Sequence, residues 1–276
     1  KLRWVFHTIP QPGEAGYDTW KDTAAWKHTG GANVWSGFSL DDGTGIVYAP
    51  VGSATYDFYG GKRTGSNLFA NCVLALDAAT GKRIWHFQTV HHDIWDRDPP
   101  TAPALVNIRK NGQQIPAVAQ VTKTGFIFVL DRKTGQPLFP VNESPVPAVS
   151  ELAGEEVSPT QPVPALPEPF VRQVLHEKDL NTLVPDSSLQ DLKTRRAGYS
   201  TGHIYNPPSH AGTVIFPGFD GGAEWGGPAY DPGTGILYVN ASEMPWVLTM
   251  KDVKPAALKA ETNAQAGKRL YTTTCI

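Results

Sequence analysis

The richest cluster of reactive side chains is the segment His91-His92-Asp93-Ile94-Trp95-Asp96-Arg97-Asp98-Pro99-Pro100. It follows a strand-like stretch, and loops on a rigid β scaffold often carry catalytic groups. A carboxylate held near an apolar wall and a cation can act as a general base that takes the proton of an alcohol. Asp96 follows an aromatic residue and precedes two stiffening prolines, so it is the first candidate for that role. A salt-bridged loop acid without a catalytic part is the alternative.

The same segment offers a second chemistry, a metal site built from His91, His92, Asp93 and Asp98. Adjacent residues of an extended chain point to opposite faces, however, so the two histidines are not expected to bind one ion. The metal site is therefore the weaker of the two hypotheses for this loop.

Three residues elsewhere could join such a site. Lys123 lies in a turn between two apolar stretches, where it is either a cation near a ligand or a solvated lysine. Trp35 follows a glycine-rich approach, so its ring is either packed in the core or exposed as a flat face to a planar ligand. Asn240 ends a third apolar stretch, and its amide could hydrogen-bond a buried ligand or close a turn.

A short repeat predicts hairpins. The motif Asp-x-x-Thr-Gly occurs at residues 77–81 and again at residues 131–135, each time between short apolar stretches. In such a turn the aspartate and threonine can cap the backbone, and the glycine supplies a positive φ. Trp85 follows the first turn, and we expect it, like Trp4, to wedge against a neighbouring sheet.

A longer repeat predicts the architecture. Trp35-Ser36-Gly37 and the Asp-x-Gly-Thr-Gly stretch that begins at Asp41 return as Trp225-Gly226-Gly227 and a matching stretch that begins at Asp231. Short strands, a turn every ten or so residues and a period of about 50 residues fit the blades of a β-propeller. The predicted blades run from Val34 to Val90, from Ala102 to Glu143, and from an opening near Thr213.

Two segments depart from this pattern. Residues 144–199 interrupt the propeller, because seven prolines fall between positions 145 and 169 and Val171–Leu192 is compatible with a helix. Residues 251–276 are rich in Ala, Lys, Glu and Gln, which predicts a helical linker and the start of a new module. Residues 1–250 are therefore assigned to a partial propeller with one Pro-rich and helical insertion.

Composition argues against several partners. The formal net charge is −2 with both signs interspersed, so no basic field attracts nucleic acid or an anionic membrane. We find no apolar run of about eighteen residues and no signal peptide, so no membrane span is expected. The opening Lys1-Leu2-Arg3-Trp4-Val5-Phe6 repeats the pattern of Lys82-Arg83-Ile84-Trp85-His86-Phe87, and three blades cannot close a ring. We therefore expect an internal piece of a longer protein.

These motifs together resemble the PQQ-dependent quinoprotein dehydrogenases, in the branch of membrane-type glucose, polyol and quinate dehydrogenases. The resemblance is strongest from Trp85 through His91-His92-Asp93 to Asp96, and it continues at Ser158–Pro162, Phe216–Gly218 and Glu224–Gly227. It covers Lys1 to about Met250. Such a series of spaced matches is more specific than any one of them.

The resemblance implies an all-β, eight-bladed propeller, with three to four blades represented here and with PQQ and a calcium ion near the axis. Asp96 matches the base that takes the hydroxyl proton while hydride passes to the quinone, and Lys123 matches the lysine that hydrogen-bonds the quinone oxygens. Trp35 matches the tryptophan that stacks on PQQ, and Asn240 the asparagine beside the quinone plane. Trp225 is grouped with the cofactor-binding residues. Lysine at position 123, where the alcohol-oxidising branch is expected to carry arginine, favours sugars or polyols.

The calcium site departs from the family pattern. Ser53 stands where many relatives have an asparagine that ligates calcium, and a hydroxyl is a poorer calcium ligand than an amide or carboxylate oxygen. We expect the ion to shift toward Asp57, to bind weakly or to rely on upstream residues, so this chain alone is not expected to hold the cofactor. Calcium and Lys123 would polarise the quinone, and an aspartate near that charge is expected to stay ionised.

The two cysteines carry different predictions. Cys72 lies in an apolar run, which predicts a buried free thiol. Gly267–Ile276 resembles the approach to a c-type haem attachment motif, C-x-x-C-H, in which Cys275 would be the first cysteine. A haem c in a downstream domain is therefore a further expectation.

We predict part of a periplasmic PQQ- and calcium-dependent dehydrogenase that oxidises a hydroxyl of a sugar, polyol or cyclic alcohol and passes electrons to a quinone or a cytochrome c. The periplasmic location follows from the resemblance alone. Two alternatives stay open: a PQQ-dependent short-chain alcohol dehydrogenase, and a propeller that has lost catalysis and serves as a binding or assembly scaffold. The joint presence of Trp35, Asp96, Lys123 and Asn240 argues for an enzyme, whereas Ser53 mildly favours the scaffold.

Overall fold

A computed structural model describes residues 1–252 and 261–274. Within these residues the strands are β1 (Ser39–Asp41), β2 (Ile46–Val51), β3 (Cys72–Asp77), β4 (Arg83–Gln88), β5 (Ala104–Lys110), β6 (Gln113–Val121), β7 (Ile127–Asp131), β8 (Val141–Pro145), β9 (Thr160–Pro164), β10 (Thr213–Ile215), β11 (Pro228–Asp231), β12 (Ile236–Val239) and β13 (Trp246–Leu248). The helices are α1 (Ala25–His28), α2 (Asp186–Arg196) and α3 (Asn263–Thr274), with short 3-10 turns at Tyr17–Thr19 and Glu177–Asp179.

Two antiparallel meanders form the centre of the fold. Strands β1 to β4 pair in chain order in one sheet, and β5 to β7 pair in chain order in the next. Both sheets lie within the first two predicted blades. Their facing side chains share one buried cluster, to which the first sheet contributes Tyr48, Val73 and Trp85 and the second contributes Val118 and Phe128. Burial of this shared apolar face is the main force that holds the two sheets together.

The third predicted blade is present as two short pairs. Strand β10 begins at Thr213, as predicted, and pairs with β13, while β11 pairs with β12. The β11–β12 hairpin turns through the repeat of Asp231, whose Oδ2 accepts the Thr234 hydroxyl at 2.7 Å. The sheets of the described residues do not close into a ring.

The Asp-x-x-Thr-Gly turns have the predicted chemistry. Asp77 Oδ1 accepts the Thr80 N–H at 2.8 Å and the Thr80 hydroxyl at 2.7 Å, and Gly81 takes a φ of 71°. In the second copy, Asp131 Oδ1 accepts the Thr134 N–H and hydroxyl, both at 2.9 Å. The partners of each aspartate lie within three residues of it, so the sequence alone suffices to specify these turns.

A tryptophan from an earlier part of the chain covers each of these turns. The Trp85 indole N–H donates to the Arg132 carbonyl at 3.1 Å, and a Cβ on Gly135 would lie 2.6 Å from the Trp85 ring. Trp4 repeats this arrangement one sheet earlier, donating to the Ala78 carbonyl at 3.0 Å, with its ring against Gly81. The absence of a side chain at the glycine is what lets the indole approach the turn.

The insertion at residues 144–199 differs in part from the expectation. It contains the β8–β9 hairpin, and its α-helix, α2, begins at Asp186 rather than at position 171. Pro185 precedes the helix as its N-cap, and a proline disfavours helical backbone at the residue before it. The helix therefore starts after the proline and runs past the predicted end to Arg196.

One residue of the insertion clasps the loop after β4. The Gln161 side chain is fully buried; its Oε1 accepts the His91 N–H at 2.8 Å and its Nε2 donates to the His91 carbonyl at 2.8 Å. A side-chain amide thus satisfies both backbone polar groups of His91, which would be costly to bury unpaired.

The remaining predictions fall on single elements. Cys72 is a buried free thiol, as predicted, and burial raises its pKa well above the ordinary value. Helix α3 occupies part of the predicted helical linker, whereas residues 253–260 and Cys275 lie outside the described residues. Among the helices of the described residues, none has the length and apolarity needed to cross a bilayer.

Candidate active site

The acid-bearing loop between β4 and β5 is buried for most of its length. Ile94 and Trp95 are fully buried and pack in one cluster with Ile204 and Ile215. The Trp95 indole N–H also donates to the Asn206 carbonyl at 2.8 Å. Close packing of this kind holds the polar side chains of a loop in one arrangement.

Asp93 organises this loop from within. Its carboxylate accepts the backbone N–H of Trp95 at 2.8 Å and that of Arg97 at 2.6 Å. Between these two residues, Asp96 has a left-handed backbone with a φ of 58°. That conformation costs roughly 1–2 kcal/mol for a residue with a Cβ and persists where the surroundings impose it. As a result, the Asp96 side chain remains 23% exposed while Trp95 and Arg97 are fully buried.

Lys123, from the turn between β6 and β7, meets two aspartates of the loop. Its Nζ lies 2.9 Å from Asp96 Oδ2 and 2.9 Å from Asp98 Oδ2. Its backbone N–H also donates to the Asp98 carbonyl at 3.0 Å. The Lys123 and Asp98 side chains are each only 7% exposed. The fold therefore joins two predicted residues that are distant in sequence and adds a second carboxylate to them.

Trp35 lies beside this group. The Lys123 ammonium is 5.8 Å from the centroid of the indole, whose residue is 42% exposed. Gly52 borders the same place, because a Cβ on it would lie 2.8 Å from Asp98 Oδ1 and 3.0 Å from Trp35 Nε1. A half-exposed indole next to a cation and a residue without a side chain suits a flat, anionic ligand. The structure thus brings Asp96, Lys123 and Trp35 together.

The charges around Lys123 shift the pKa values of Asp96 and Asp98 in opposite directions. Burial and the neighbouring negative charge of Asp98 raise the pKa of Asp96 to about 8, although Lys123 acts in the opposite direction. Burial also acts to raise the pKa of Asp98, but Lys123 and the Ser53 N–H outweigh it and lower that pKa overall. The two carboxylates compete for one ammonium, and the better hydrogen-bonded one keeps the charge. Asp98 is therefore the more readily ionised of the two in the ligand-free protein, and the expectation that Asp96 stays ionised beside calcium and Lys123 stays a prediction.

Lys123 is protonated whichever of the two aspartates is ionised. Burial favours the neutral amine, but the charges of Asp98 and Asp96 outweigh it and raise the pKa of Lys123 above its ordinary range. The group therefore combines one fixed cation with two carboxyl groups that compete for it.

Ser53 and Asp57, the predicted calcium ligands, have different surroundings. The Ser53 hydroxyl donates to Asp93 Oδ2 and accepts the Asn71 Nδ2–H at 3.0 Å, so it is already engaged on two sides. Asp57 lies at the exposed edge of the site, where partial burial and the charges of Asp98 and Asp93 raise its pKa.

Calcium takes six to eight oxygen ligands as a rule, and the described residues contain no group of three or more His, Cys, Asp and Glu side chains arranged to hold a metal ion. The described residues by themselves do not fit a calcium ion, and the roles of Ser53 and Asp57 as its ligands stay a prediction.

Asn240 and Trp225, the other predicted cofactor-binding residues, are both exposed. Trp225 is 76% exposed, and Asn240 is exposed with its amide near Gly226. Neither side chain forms a hydrogen bond, ion pair or ring contact with Trp35 in the part of the chain that the structure describes. The loop before Trp225 does reach the site, because the Gly222 N–H donates to the Lys123 carbonyl at 2.8 Å. Their cofactor contacts stay predictions.

The two histidines of the loop have structural partners. His91 Nδ1 lies 2.6 Å from Gln88 Oε1, and its Nε2 lies 3.1 Å from Glu143 Oε1. His92 is buried, and its Nε2 pairs with Glu155 at 2.7 Å. The described residues therefore do not form the alternative metal site built from these histidines and the loop aspartates.

Sequence reasoning missed the part that Asp98 takes in the site. It considered this residue only as a metal ligand, although the Asp-x-Asp spacing of Asp96 and Asp98 was visible. Asn71 was missed altogether: it is buried and donates to Asp93 Oδ2 at 2.8 Å and to the Arg97 carbonyl at 3.2 Å. No local pattern marks it, because its side-chain partners lie 18 to 26 residues away.

The chain is similar to known proteins along nearly its whole length. Residues 1–274 match the PQQ family described as the glucose/ethanol/alcohol dehydrogenase β-propeller domain. Quinoprotein glucose dehydrogenase A of Acinetobacter calcoaceticus is 38% identical over 279 residues, which cover 97% of this chain and 33% of that protein. Quinate/shikimate dehydrogenase (quinone) of Acinetobacter baylyi is 36% identical and covers 95% of this chain and 32% of that protein. The chain spans about a third of the length of these curated relatives.

A solved structure carries the same fold. The quinohemoprotein alcohol dehydrogenase of Pseudomonas putida HK5 superposes with a TM-score of 0.59 at 24% sequence identity, over 93% of this chain and 33% of that protein. Together with the family match, this likeness confirms the prediction of a β-propeller, and the open sheets are consistent with part of one.

Proposed function

Because the chain belongs to the PQQ-dependent glucose/ethanol/alcohol dehydrogenase family, in its β-propeller domain, we propose that it forms part of an enzyme that oxidises a hydroxyl of a sugar, polyol or cyclic alcohol with PQQ as the hydride acceptor. The observation that carries the proposal is the pair of Asp96 and Lys123, 2.9 Å apart beside the half-exposed indole of Trp35. Relatives named for glucose and for quinate support this class of substrate.

The residues present fit PQQ. The flat face of Trp35 suits an aromatic ring system, and Lys123 supplies a fixed positive charge for the oxygens of an anionic quinone. The missing side chain at Gly52 lets the backbone approach the edge of Trp35 closely. In the proposal, Trp35 and Lys123 hold the cofactor, with Asn240 and Trp225 at its edges. When bound, PQQ supplies a quinone carbon that accepts hydride from the carbinol carbon of the substrate.

In its ionised form, Asp96 takes the proton of the substrate hydroxyl. Its side chain is the more exposed of the two carboxyls that contact Lys123, so it is the one within reach of a substrate. The raised pKa of Asp96, about 8, makes its carboxylate a stronger base than an ordinary aspartate. Lys123 remains protonated throughout and offers N–H donors to negative charge that develops next to it.

The finer parts of the proposal rest on the resemblance alone. These are a calcium ion bound with the help of Ser53 and Asp57, an electron acceptor that is a quinone or a cytochrome c, a haem c attached at Cys275, and a periplasmic location. The quinate/shikimate relative is named as a dehydrogenase that uses a quinone. No step above depends on the calcium ion.

The substitution Asp96→Asn tests the proposal. It keeps the shape of the side chain and removes the base, so we expect the rate of dye reduction by the PQQ-loaded full-length protein to fall at least about a hundredfold. PQQ binding, followed by absorbance, should remain. A panel of sugars, polyols, quinate and short-chain alcohols identifies the substrate class.

Near-normal turnover by the Asp96→Asn variant would remove Asp96 from the mechanism. A full-length parent protein that binds no PQQ would favour the scaffold alternative instead. Preference for short-chain alcohols over all polyhydroxylated substrates would assign the protein to the alcohol branch.

A further inference from the structure

Asp98 is held from three directions within the candidate site. One carboxylate oxygen accepts the Ser53 N–H at 2.6 Å, and the other lies 2.9 Å from Lys123 Nζ. Its backbone carbonyl accepts the Lys123 N–H at 3.0 Å. Asp98 therefore links the segment after β2, the loop after β4 and the turn between β6 and β7.

We infer that Asp98 is the positioning residue that fixes the Lys123 ammonium beside Trp35. The inference rests on the proposed function, because it assigns to Asp98 the placement of the cation that would meet the cofactor. It gives the two aspartates separate tasks, since Asp96 faces the substrate and Asp98 anchors the lysine.

The geometry of an ammonium group supports this division. Lysine has three N–H donors on a flexible stem, so a single partner leaves its charge free to move with that partner. Asp96 is the poorer anchor, because its side chain is 23% exposed. Asp98 is 7% exposed and is itself fixed by the Ser53 N–H. When two N–H donors of Lys123 bond to Asp96 and Asp98, the third N–H remains for a ligand.

The same carboxylate also borders the indole. The position that a Cβ on Gly52 would occupy is 2.8 Å from Asp98 Oδ1 and 3.0 Å from Trp35 Nε1. Asp98 and the edge of Trp35 therefore flank one narrow gap, and the ammonium held by Asp98 lies 5.8 Å from the ring centroid. Anchoring the lysine thus sets its distance from the ring face.

A purely structural role is the competing explanation, in which Asp98 only secures the segment of Ser53. The substitution Asp98→Asn separates the two, because an asparagine keeps an oxygen for the Ser53 N–H and loses the charge that holds Lys123. Combining it with Lys123→Met in a double-mutant cycle measures whether Asp98 acts through the lysine.

The experiment titrates PQQ into the full-length protein and follows quenching of tryptophan fluorescence. We expect Asp98→Asn to raise the PQQ dissociation constant at least about fivefold when Lys123 is present, a coupling typical of contacting residues. In the Lys123→Met background the same substitution should change it by less than about twofold. Asp41→Asn is the matched control: it removes a carboxylate from a partly buried pair with Arg132, 3.2 Å away at another place in the fold, and should leave PQQ binding unchanged.

Two results would overturn the inference. An equal weakening in both backgrounds means that Asp98 acts on the segment of Ser53 and not on the lysine. Tighter PQQ binding by Asp98→Asn means that its charge only repels an anionic cofactor.

A second arm needs no cofactor and keeps the inference apart from the proposed function. In urea unfolding of the ligand-free protein, Asp98→Asn should lower the midpoint in the parent, because an ion pair is lost, and should not lower it in the Lys123→Met background. Equal shifts would deny the link between Asp98 and Lys123. A parent without saturable PQQ binding would end the proposed function, while this arm would still decide whether Asp98 anchors the lysine.

Discussion

Asp77 and Asp96 are the same residue type in neighbouring parts of the chain, yet their surroundings are opposite. Asp77 accepts two hydrogen bonds from Thr80, and these lower its pKa. Asp96 pairs with Lys123 of the next sheet, and burial together with Asp98 raises its pKa. An aspartate whose partners are local shapes a turn. When the partners come from distant segments, the pKa of the aspartate is set by the whole fold. Such shifted pKa values are common at functional sites.

The largest expected difference between the two regions is at their lysines. Lys123→Met removes the cation beside Trp35, and we expect the PQQ-loaded full-length protein to lose roughly a hundred- to thousandfold in turnover, as when one donor to a developing charge is removed. Lys82→Met alters an exposed residue just after the turn of Asp77 and should change turnover by less than about twofold. Steady-state dye reduction measures both. Similar losses in the two variants would erase the distinction between turn and site.

The turns, in contrast, should matter for stability. Gly135→Ala places a Cβ 2.6 Å from the Trp85 ring at a φ of 72°, whereas Gly45→Ala meets nothing within 4 Å at a φ of 68°. The control should lose about 1 kcal/mol of unfolding free energy from backbone strain, and Gly135→Ala about 2 kcal/mol more from displacement of the indole. Urea unfolding gives both values. Equal losses would mean that the tryptophan adds nothing at this turn.

The sharpest form of the comparison is the response of stability to pH. Folded Asp96, with a pKa of about 8, keeps a proton that the unfolded chain releases near 3.8. Its contribution to stability therefore falls as pH rises from about 4 to about 8, by less than about 1.4 kcal/mol per pH unit. Asp77, with a lowered pKa, contributes stability above 3.8 that is lost as pH falls below it.

Urea unfolding of the ligand-free protein at a series of pH values checks these opposite signs. Asp96→Asn should flatten the profile between about pH 4 and pH 8, and Asp77→Asn should flatten only its acid end. An unchanged neutral slope in the Asp96→Asn variant would contradict the competition between Asp96 and Asp98 for Lys123.

What the sequence predicted well was local. The turns of Asp77 and Asp131 and the bounds of the first two sheets depend on residues a few positions apart, so motif spacing was enough. Trp85 docks on a residue 47 positions away, but its place after the repeated turn motif predicted that contact. The late start of α2 was also local, and Pro185 signalled it, but the prediction followed composition over Val171–Leu192 and overlooked the proline.

The sequence could not predict how the pKa values of Asp96 and Asp98 shift relative to each other. The resemblance pointed to Asp96, Lys123 and Trp35, and these three do lie together. The direction of the Asp96 pKa depends on how closely Asp98 approaches the same ammonium and on the Ser53 N–H that stabilises it. Those distances are products of three separate segments, and no spacing in the chain encodes them.

The hydrogen bonds of Gln161 to His91 link the acid-bearing loop to the β8–β9 hairpin of the Pro-rich insertion. The side-chain amide of Gln161 bonds to the N–H and the carbonyl of His91, as a neighbouring strand would. The position of the backbone just before Asp93 therefore depends on a residue of the insertion. A proteolytic nick between β8 and β9 would consequently disturb the candidate site without cleaving the chain at any of its residues.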